Sequence, residues 1–227
     1  LGYSDDLFAQ LAAEKLNGGR MPRNTIAIQH GAGTFKATAE GKNVVWQYGT
    51  QEIQGNTCEF TIAEDSAQIL VSFDGLLTKF ENKSDAQTLL DLSDLGGLAT
   101  NYLNLYNCSN VTGDLSALGG RITHYLGLYN CSKITGSLSD LGGKVTYWLN
   151  LGGCRNVTGV YSGDSYPTSV NLSNTGLTAA DMDQTLINFN AGATSAGTFT
   201  AKSMTRTAAS ELAALEARVA ALEEAGT

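Results

Sequence analysis

The chain has 227 residues, of which 42% are hydrophobic and 16% charged, with 26 glycines and two prolines. This composition excludes a disordered chain and a long helical bundle. The formal net charge is −8, and no cluster of Lys or Arg interrupts the acidic surface, so nucleic acid is not an expected partner. No run of 18 apolar residues is present, so we also expect no membrane insertion.

Residues 1–23 predict an N-terminal helical arm. Leu7, Leu11 and Leu16 lie on one face of a short amphipathic helix that Ser4 or Asp5 caps. Two interpretations are open: the arm docks on a partner, or it packs on the domain that follows it.

Residues 24–82 predict a small antiparallel β-sandwich. Short segments of alternating hydrophobicity are separated by turns that contain Gly and Asn. Trp46 is expected in the core of this domain rather than at a ligand site. The predicted strands are TIAI (25–28), TFKATA (34–39), NVVWQY (43–48), CEFTIA (58–63) and QILVSF (68–73).

A 23-residue unit then occurs three times between Leu92 and Val160. The copies read LSDLGGLATNYLNLYNCSNVTGD, LSALGGRITHYLGLYNCSKITGS and LSDLGGKVTYWLNLGGCRNVTGV. In each copy, the segment L-x-L-x-x-C predicts a short strand of a parallel sheet with both leucines buried. The glycine pairs at 96–97, 119–120 and 142–143 predict turns with positive φ that return the chain to the next strand.

These units resemble the leucine-rich repeat, with Cys108, Cys131 and Cys154 at the position that is Asn or Cys in that family. The resemblance implies that the three cysteines point inward and satisfy backbone groups, rather than forming disulfides or a metal site. The fold class that follows is a mixed α/β-solenoid. In it, a leucine-rich-repeat parallel-sheet solenoid over residues 83–204 is preceded by the small antiparallel β-domain and has short terminal helices.

The repeat continues more loosely after Val160. Residues 169–177 repeat the strand and turn, Thr178 to Asp181 predict a helix start, and residues 197–202 predict a last strand. This closing unit looks like that of leucine-rich-repeat proteins in bacteriophage virions and in surface proteins of Bacteroidetes-type bacteria.

Residues 205–227 predict a C-terminal helix with apolar residues in 3-4-3 spacing. This pattern is typical of two coiled-coil heptads, which would make a homo-oligomer, and equally of a helix that caps the solenoid. The residues concerned are Leu212, Leu215, Val219 and Leu222.

The sequence gives no support for catalysis, so we expect no enzyme activity and no cofactor. Its two histidines, His30 and His124, lie outside any His-x-x-His, His-Glu-x-x-His or nucleophile-elbow pattern. Asp94, Asp114 and Asp140 fall in turns of the repeat, where capping explains them.

Two columns of aromatic residues are the candidate binding site, because they alternate with the buried leucines and therefore point outward. Amide side chains stand between the columns. Such a surface is suited to sugar rings or to a protein partner. Alternatively, the rings stack on one another or pack against a neighbouring subunit. The candidates are Tyr102, Tyr125 and Trp148, then Tyr106 and Tyr129, with Asn104 and Asn150 between them.

These features favour a non-enzymatic structural or adhesive protein of a bacteriophage particle, of the tail-fibre, baseplate or capsid-decoration type. Its expected partners are other virion proteins and a host-surface glycan or protein. The alternative is a bacterial surface or secreted adhesin. A third class, an accessory module of a glycan-active enzyme, predicts a catalytic domain elsewhere in the polypeptide.

Overall fold

The computed structural model describes residues 23–192 and 197–201, and this part of the chain is mostly β-sheet with few helices. The predicted helical arm over residues 1–22 and the predicted helix over 205–227, including Leu212, Leu215, Val219 and Leu222, lie outside the described residues. None of the described helices is long and apolar enough to cross a membrane.

Antiparallel strands form the first part of the fold. Strand β5 is central, because β1 pairs with it on one side and β2 on the other, and β2 also pairs with β3 and β4. Trp46, Phe35 and Phe60 fill the core between these strands, which agrees with the prediction for Trp46. The strands are β1 (Arg23–His30), β2 (Gly33–Tyr48), β3 (Gln51–Gln54), β4 (Thr57–Ile62) and β5 (Ala67–Glu81).

The prediction of two separate strands over 34–39 and 43–48 is wrong, since both lie in the single strand β2. The register shifts between Glu40 and Lys42 and again between Lys42 and Val45, so the chain bends without reversing. Asn43 takes a φ of 55°, and its amide donates a hydrogen bond to Asp74 Oδ2 at 2.7 Å. This irregularity in β2 interrupts the alternation of hydrophobic and polar residues in the sequence.

Strand β5 joins the antiparallel strands to the parallel ones. Its first half pairs with β1, and its second half pairs in parallel with β7 (Ala99–Asn104). A two-residue strand, β6 (Thr88–Leu89), extends the other edge of the sheet beside β1. The residues of the expected β-sandwich therefore share one 11-stranded mixed sheet with the repeat units.

The parallel part confirms one strand of a parallel sheet in each 23-residue unit, but these strands end at Asn104, Gly127 and Asn150, before the second leucine and the cysteine of the predicted segment. Neighbouring strands are in register at a spacing of one unit, so that Tyr102 pairs with Tyr125 and Tyr125 with Trp148. Two further strands continue the sheet in the looser repeat. The strands after β7 are β9 (Tyr125–Gly127), β11 (Trp148–Asn150), β13 (Ser169–Asn171) and β14 (Thr198–Thr200).

A second, three-stranded parallel sheet lies on the far side of the leucines, and sequence analysis did not predict it. It consists of β8 (Thr112–Asp114), β10 (Lys133–Ser137) and β12 (Asn156–Thr158). Each strand contains all or part of the Val/Ile-Thr-Gly segment, in which the β-branched residues suit extended backbone.

One helical turn opens each of the three 23-residue units, on this side of the leucines. The L-S-x-L segments form α1 (Leu92–Leu95) and two 3₁₀ helices, Leu115–Leu118 and Leu138–Leu141. Asp91, Asp114 and Ser137 cap them by accepting hydrogen bonds from backbone N–H groups. Asp94 and Asp140 complete capping boxes, so the capping roles expected for the repeat carboxylates are confirmed.

A continuous core of stacked leucines lies between the two sheets. The leucines of the parallel strands are fully buried, and they meet the leucines of the helical turns and the β-branched column from the other side. Burying one such side chain contributes roughly 1.5–3 kcal/mol, and each unit obtains this burial only through its neighbours. The buried leucines in or directly after the parallel strands are Leu103, Leu105, Leu126, Leu128, Leu149 and Leu151.

Helix α2 (Ala179–Gly192) lies in the loose part of the repeat, between β13 and β14. As predicted, Thr178 begins it: the Thr178 hydroxyl accepts from the N–H of Asp181, and the Asp181 carboxylate accepts from the N–H of Thr178, both at 3.1 Å. Phe189 of this helix packs on Phe199 of β14, with ring centroids 5.4 Å apart.

Candidate binding face

The outer side of the parallel strands carries aromatic side chains in three rows, which we term the aromatic face. The first row is Tyr102, Tyr125 and Trp148; the second is Tyr106 and Tyr129; the third is His124 and Tyr147. Sequence analysis predicted the first two rows and missed Tyr147. The column Asn101/His124/Tyr147 of the 23-residue alignment held the signal for the third row.

Within each row the rings stack face to face. Tyr102 and Tyr125 have centroids 4.3 Å apart at 14°, and Tyr125 and Trp148 lie 6.1 Å apart at 16°. The second and third rows have spacings of 4.8 and 4.9 Å. Because stacking covers the ring faces inside a row, the inner rings present edges and hydroxyl groups outward.

The two amides between the rows are buried, with Asn104 5% and Asn150 6% exposed. Asn104 Oδ1 accepts from the N–H of Tyr106 at 3.2 Å, and Asn150 Oδ1 accepts from the N–H of Gly152 at 3.3 Å. Both amides therefore fix the backbone that follows each strand. Their predicted contact with a ligand stays a prediction, and little of their surface is open to one.

The aromatic face has a charged end at strand β5. Lys79 is the register partner of Tyr102, and its Nζ lies 5.0 Å from the centroid of that ring. Glu81 is the register partner of Asn104 and accepts hydrogen bonds from the Tyr102 hydroxyl at 3.0 Å and from the Asn104 amide at 3.2 Å. Lys83 pairs with the same carboxylate at 3.4 Å.

These contacts set the ionisation of Glu81 and Tyr102. Burial acts to raise the pKa of Glu81, but the hydrogen bonds from Tyr102 and Asn104 and the charges of Lys83 and Lys79 outweigh it, so the pKa is lowered. Burial raises the pKa of Tyr102 well above its ordinary value, and its hydrogen bond to Glu81 adds to the shift. The pair therefore holds a carboxylate and a neutral phenol at neutral pH.

A cleft of about 540 Å³ opens beside this charged end. Lys36 and Glu59 form an ion pair of 3.0 Å in its wall, and Glu81 and Lys83 line it from the side of the aromatic face. The remaining lining comes from β2, β3 and β4. Sequence analysis did not identify this cleft, because it depends on the bend in β2 and on the pairing of β5 with β7.

The opposite end of the face carries small neutral side chains. Ser169 and Thr198 continue the first row, and Asn171 and Thr200 continue the positions of Asn104 and Asn150. The hydroxyls of Ser169 and Thr198 lie 3.0 Å apart. The face therefore changes along its length from charged, through aromatic, to neutral and hydroxyl-bearing.

The cysteines of the repeat form a buried ladder behind the face. The thiols of Cys108, Cys131 and Cys154 each donate to a backbone carbonyl 3.0 Å away, which confirms the predicted inward orientation. All three are free and fully buried. Burial raises the pKa of Cys108 to about 11 and that of Cys154 to about 12, so these groups stay protonated and unreactive at neutral pH.

The histidines occupy different environments. His30 is 1% exposed, its Nδ1 faces the carbonyl of Gly31 at 2.6 Å, and its Nε2 faces Asp85 Oδ2 at 2.9 Å. His124 is exposed and belongs to the third row. Across residues 23–192 and 197–201, no three His, Cys, Asp or Glu side chains come together as metal ligands would.

The aromatic face can thus form contacts through ring edges, phenol hydroxyls and the ring faces at the ends of the rows. It brings together all seven candidate residues of the repeat and adds His124, Tyr147, Lys79, Glu81 and Lys83. Comparison with protein-family models, with curated proteins and with solved structures gives no significant match.

Proposed function

We propose that this chain is a non-enzymatic leucine-rich-repeat solenoid of a bacteriophage particle, which displays the aromatic face to a glycan or protein of the host surface. The observation that carries the binding role is the alignment of three aromatic rows on one side of a sheet whose other side is filled by leucines. Aromatic side chains contribute large contact areas at binding surfaces.

The solenoid part of the proposal is supported by regular pairing between successive units. The main sheet pairs equivalent residues, such as Tyr102 with Tyr125, which are 23 positions apart. The three-stranded sheet pairs successive units at an offset of 21 positions, as Thr112 does with Lys133. The cysteine thiols link each unit to the one before it. Stability then accumulates through interfaces between neighbours, as expected of a solenoid.

The absence of catalysis is part of the proposal and is supported by the chemistry of the described side chains. The repeat thiols are buried and protonated, the carboxylates of the turns cap helices, and Glu81 is engaged by two hydrogen bonds. A carboxylate with a lowered pKa is a poor general base near neutral pH.

Binding is tested with the fluorescently labelled full chain on a panel of intact Gram-negative and Gram-positive cells. The double variant Tyr106→Ala/Tyr129→Ala removes the second row, and we expect it to lose most of the binding to any cell that the wild-type chain labels. Lys133→Ala, which removes an exposed side chain from β10 on the far side of the leucines, is the matched control. Equal labelling by all three proteins would contradict the role of the face.

The setting in a phage particle rests on the resemblance of the closing unit to virion proteins. Mass spectrometry of purified particles from the source of the gene tests it directly, together with the identity of the neighbouring genes. Finding the chain among the structural proteins supports the proposal. Finding it instead in the envelope or medium of uninfected bacteria would replace it with a surface or secreted adhesin.

Self-association is a separate proposal and rests on the sequence of residues 205–227 alone. Light scattering of the full chain and of a chain ending at residue 207 measures it. If the full chain is an oligomer and the truncated chain a monomer, the segment mediates self-association. The residues concerned would be Leu212, Leu215, Val219 and Leu222. A monomer in both forms would leave this segment as the cap of the repeat.

A further inference from the structure

Two aromatic rows end at neighbouring residues, Tyr147 and Trp148, at the start of β11, and no ring follows either of them at the next register position. The first row ends at Trp148, whose register partner on β13 is Ser169. The third row ends at Tyr147, and Thr168 follows it across the sheet, where the Thr168 hydroxyl donates to the carbonyl of Tyr147 at 3.0 Å. We term this place, formed by Tyr147, Trp148, Thr168 and Ser169, the aromatic step.

Ser169 stands at the position where the register would place a fourth ring of the first row. Neighbouring strands lie about 4.8 Å apart, and rings inside the rows are spaced at 4.3–6.1 Å. A ligand ring stacked on Trp148 at this spacing would lie over Ser169. Tyr147 is 49% exposed, so the third row is open to solvent at its end.

The residues of β13 and β14 that continue the first row and the amide positions are polar and uncharged. Ser169 and Thr198 place two hydroxyls 3.0 Å apart beyond the indole, and Asn171 and Thr200 lie in the next position along their strands. The charged residues of the face, Lys79 and Glu81, lie at the other end of the same rows. An uncharged ligand rich in hydroxyl groups matches this environment, whereas a carboxylate or phosphate would meet no cation among these residues.

We propose that the aromatic step binds one pyranose ring of a neutral glycan, in the place of the missing fourth ring. One side of a pyranose presents C–H groups that pack on the negative face of an aromatic ring. Its hydroxyls then exchange hydrogen bonds with Ser169 and Thr198, which both donate and accept. This inference rests on the proposed binding role of the aromatic face and specifies the chemical class of the ligand.

The test begins with titration of the full chain with maltohexaose, cellohexaose, chitohexaose and a mannan oligosaccharide. Intrinsic tryptophan fluorescence and calorimetry measure binding. The sequence has two tryptophans, and Trp46 is fully buried in the antiparallel core, so a saturable change in emission reports on Trp148. We expect at least one of these neutral oligosaccharides to give such a change.

The decisive variant is Ser169→Tyr, which continues the first row and fills the step without removing any existing ring. We expect it to weaken oligosaccharide binding by about tenfold or more, the effect of removing a residue that dominates binding. Tyr147→Ala serves as a second variant, because this exposed side chain can be removed without opening the core. Lys133→Ala, on β10 at the far side of the leucines, is the control because it lies outside the aromatic face.

Failure of this inference is distinguishable from failure of the proposed function. If no neutral oligosaccharide binds, or if Ser169→Tyr and Tyr147→Ala bind as the wild type does, the pyranose site is wrong. The wider proposal then still stands if intact cells are bound in a way that Tyr106→Ala/Tyr129→Ala abolishes. Loss of oligosaccharide binding in Ser169→Tyr and Tyr147→Ala, with Lys133→Ala unaffected, supports the pyranose site.

Discussion

The thiol of Cys131 donates a hydrogen bond to the carbonyl oxygen of Leu105, 3.0 Å away in the preceding repeat unit. The same carbonyl also accepts the backbone N–H of Cys108 from its own unit at 3.0 Å. The next unit repeats this arrangement, with Cys154 and Cys131 both donating to Leu128. Each cysteine therefore closes the loop of its own unit with its backbone and ties that loop to the previous unit with its side chain.

Removal of this thiol should destabilise the repeat. For Cys131→Ala we expect the free energy of unfolding to fall by about 1–3 kcal/mol, because a buried acceptor loses a donor and a small cavity forms. Cys131→Ser keeps a donor at nearly the same place and should recover part of the loss. Urea denaturation measures both. Equal stability of Cys131→Ala and the wild type would show that the thiol bond contributes nothing.

The buried thiols also predict a loss of stability at alkaline pH. Burial raises the pKa of Cys154 to about 12 in the folded chain, against an ordinary value of 9.0. Above pH 9 the unfolded chain therefore binds fewer protons than the folded chain, so stability falls as the pH rises towards 12. Below pH 9 both states hold the proton, and this contribution is fully present.

The measurement is the urea midpoint at pH 7.5, 9 and 10.5 for the wild type and for Cys154→Ser. Serine does not titrate in this range, so its variant should lose less stability between pH 9 and 10.5. Identical alkaline slopes for the two proteins would contradict a folded pKa near 12. Comparison within one pair of proteins removes the contribution of the tyrosines, which both chains share.

The repeat was predictable because one period places the same residue type at the same depth in every unit. Leu103, Leu126 and Leu149 recur every 23 residues and are all buried. The residues that define the sequence pattern are therefore also the residues of the core. The alternation around these leucines also predicted which residues point outward. It left open whether the outward rings stack on one another, bind a partner or pack on a neighbouring subunit, and the structure confirms the stacking. The choice depends on the distance between strands and on side-chain rotamers, which the pattern does not give.

The antiparallel part was less predictable for physical reasons. Its strands β2 and β5 bend, and each changes its pairing partners along its length, so a break in alternation was read as a turn. The three-stranded sheet was missed because its strands are only three to five residues long and are partly exposed. Lys79 and Glu81 lie beside Tyr102 and Asn104 because β5 pairs with β7. This long-range pairing was not predicted from the sequence.

Gly127 gives a test of the stacked arrangement of the face. A Cβ atom at this position would lie 2.8 Å from both Asn104 Oδ1 and Tyr125 Cε1. For Gly127→Ala we expect a loss of about 1–3 kcal/mol and a weaker near-ultraviolet circular dichroism signal from the tyrosines, because Asn104 or the Tyr125 ring must move.

A double-mutant cycle with Asn104→Ala separates the two responses. If the Asn104 side chain is the group that must move, Gly127→Ala should lower the free energy of unfolding less in the Asn104→Ala background than in the wild type. If Gly127→Ala loses the same stability in both backgrounds, the clash is with the Tyr125 ring. No loss of stability from Gly127→Ala in the wild type would contradict the close packing between the rows.

Substitutions at the adjacent glycines 142 and 143 distinguish the cost of a backbone conformation from the cost of a close backbone contact. Both have positive φ, 61° at Gly142 and 57° at Gly143. A Cβ at Gly142 would come no closer than 3.9 Å to another group, whereas one at Gly143 would lie 2.3 Å from Gly163 Cα. The third repeat unit and the chain that follows it therefore touch backbone to backbone at Gly143.

Alanine at the two positions should accordingly have unequal effects. Gly142→Ala meets only the strain of the left-handed conformation, about 1–2 kcal/mol. Gly143→Ala meets the same strain and must also separate two units, so we expect a loss of about 3 kcal/mol or more. Thermal and urea unfolding of the two variants compare these values, with Gly142→Ala as the matched control. If the two variants lose equal stability, the close approach of Gly143 to Gly163 does not exist in solution, because the conformational cost is shared and only the contact differs.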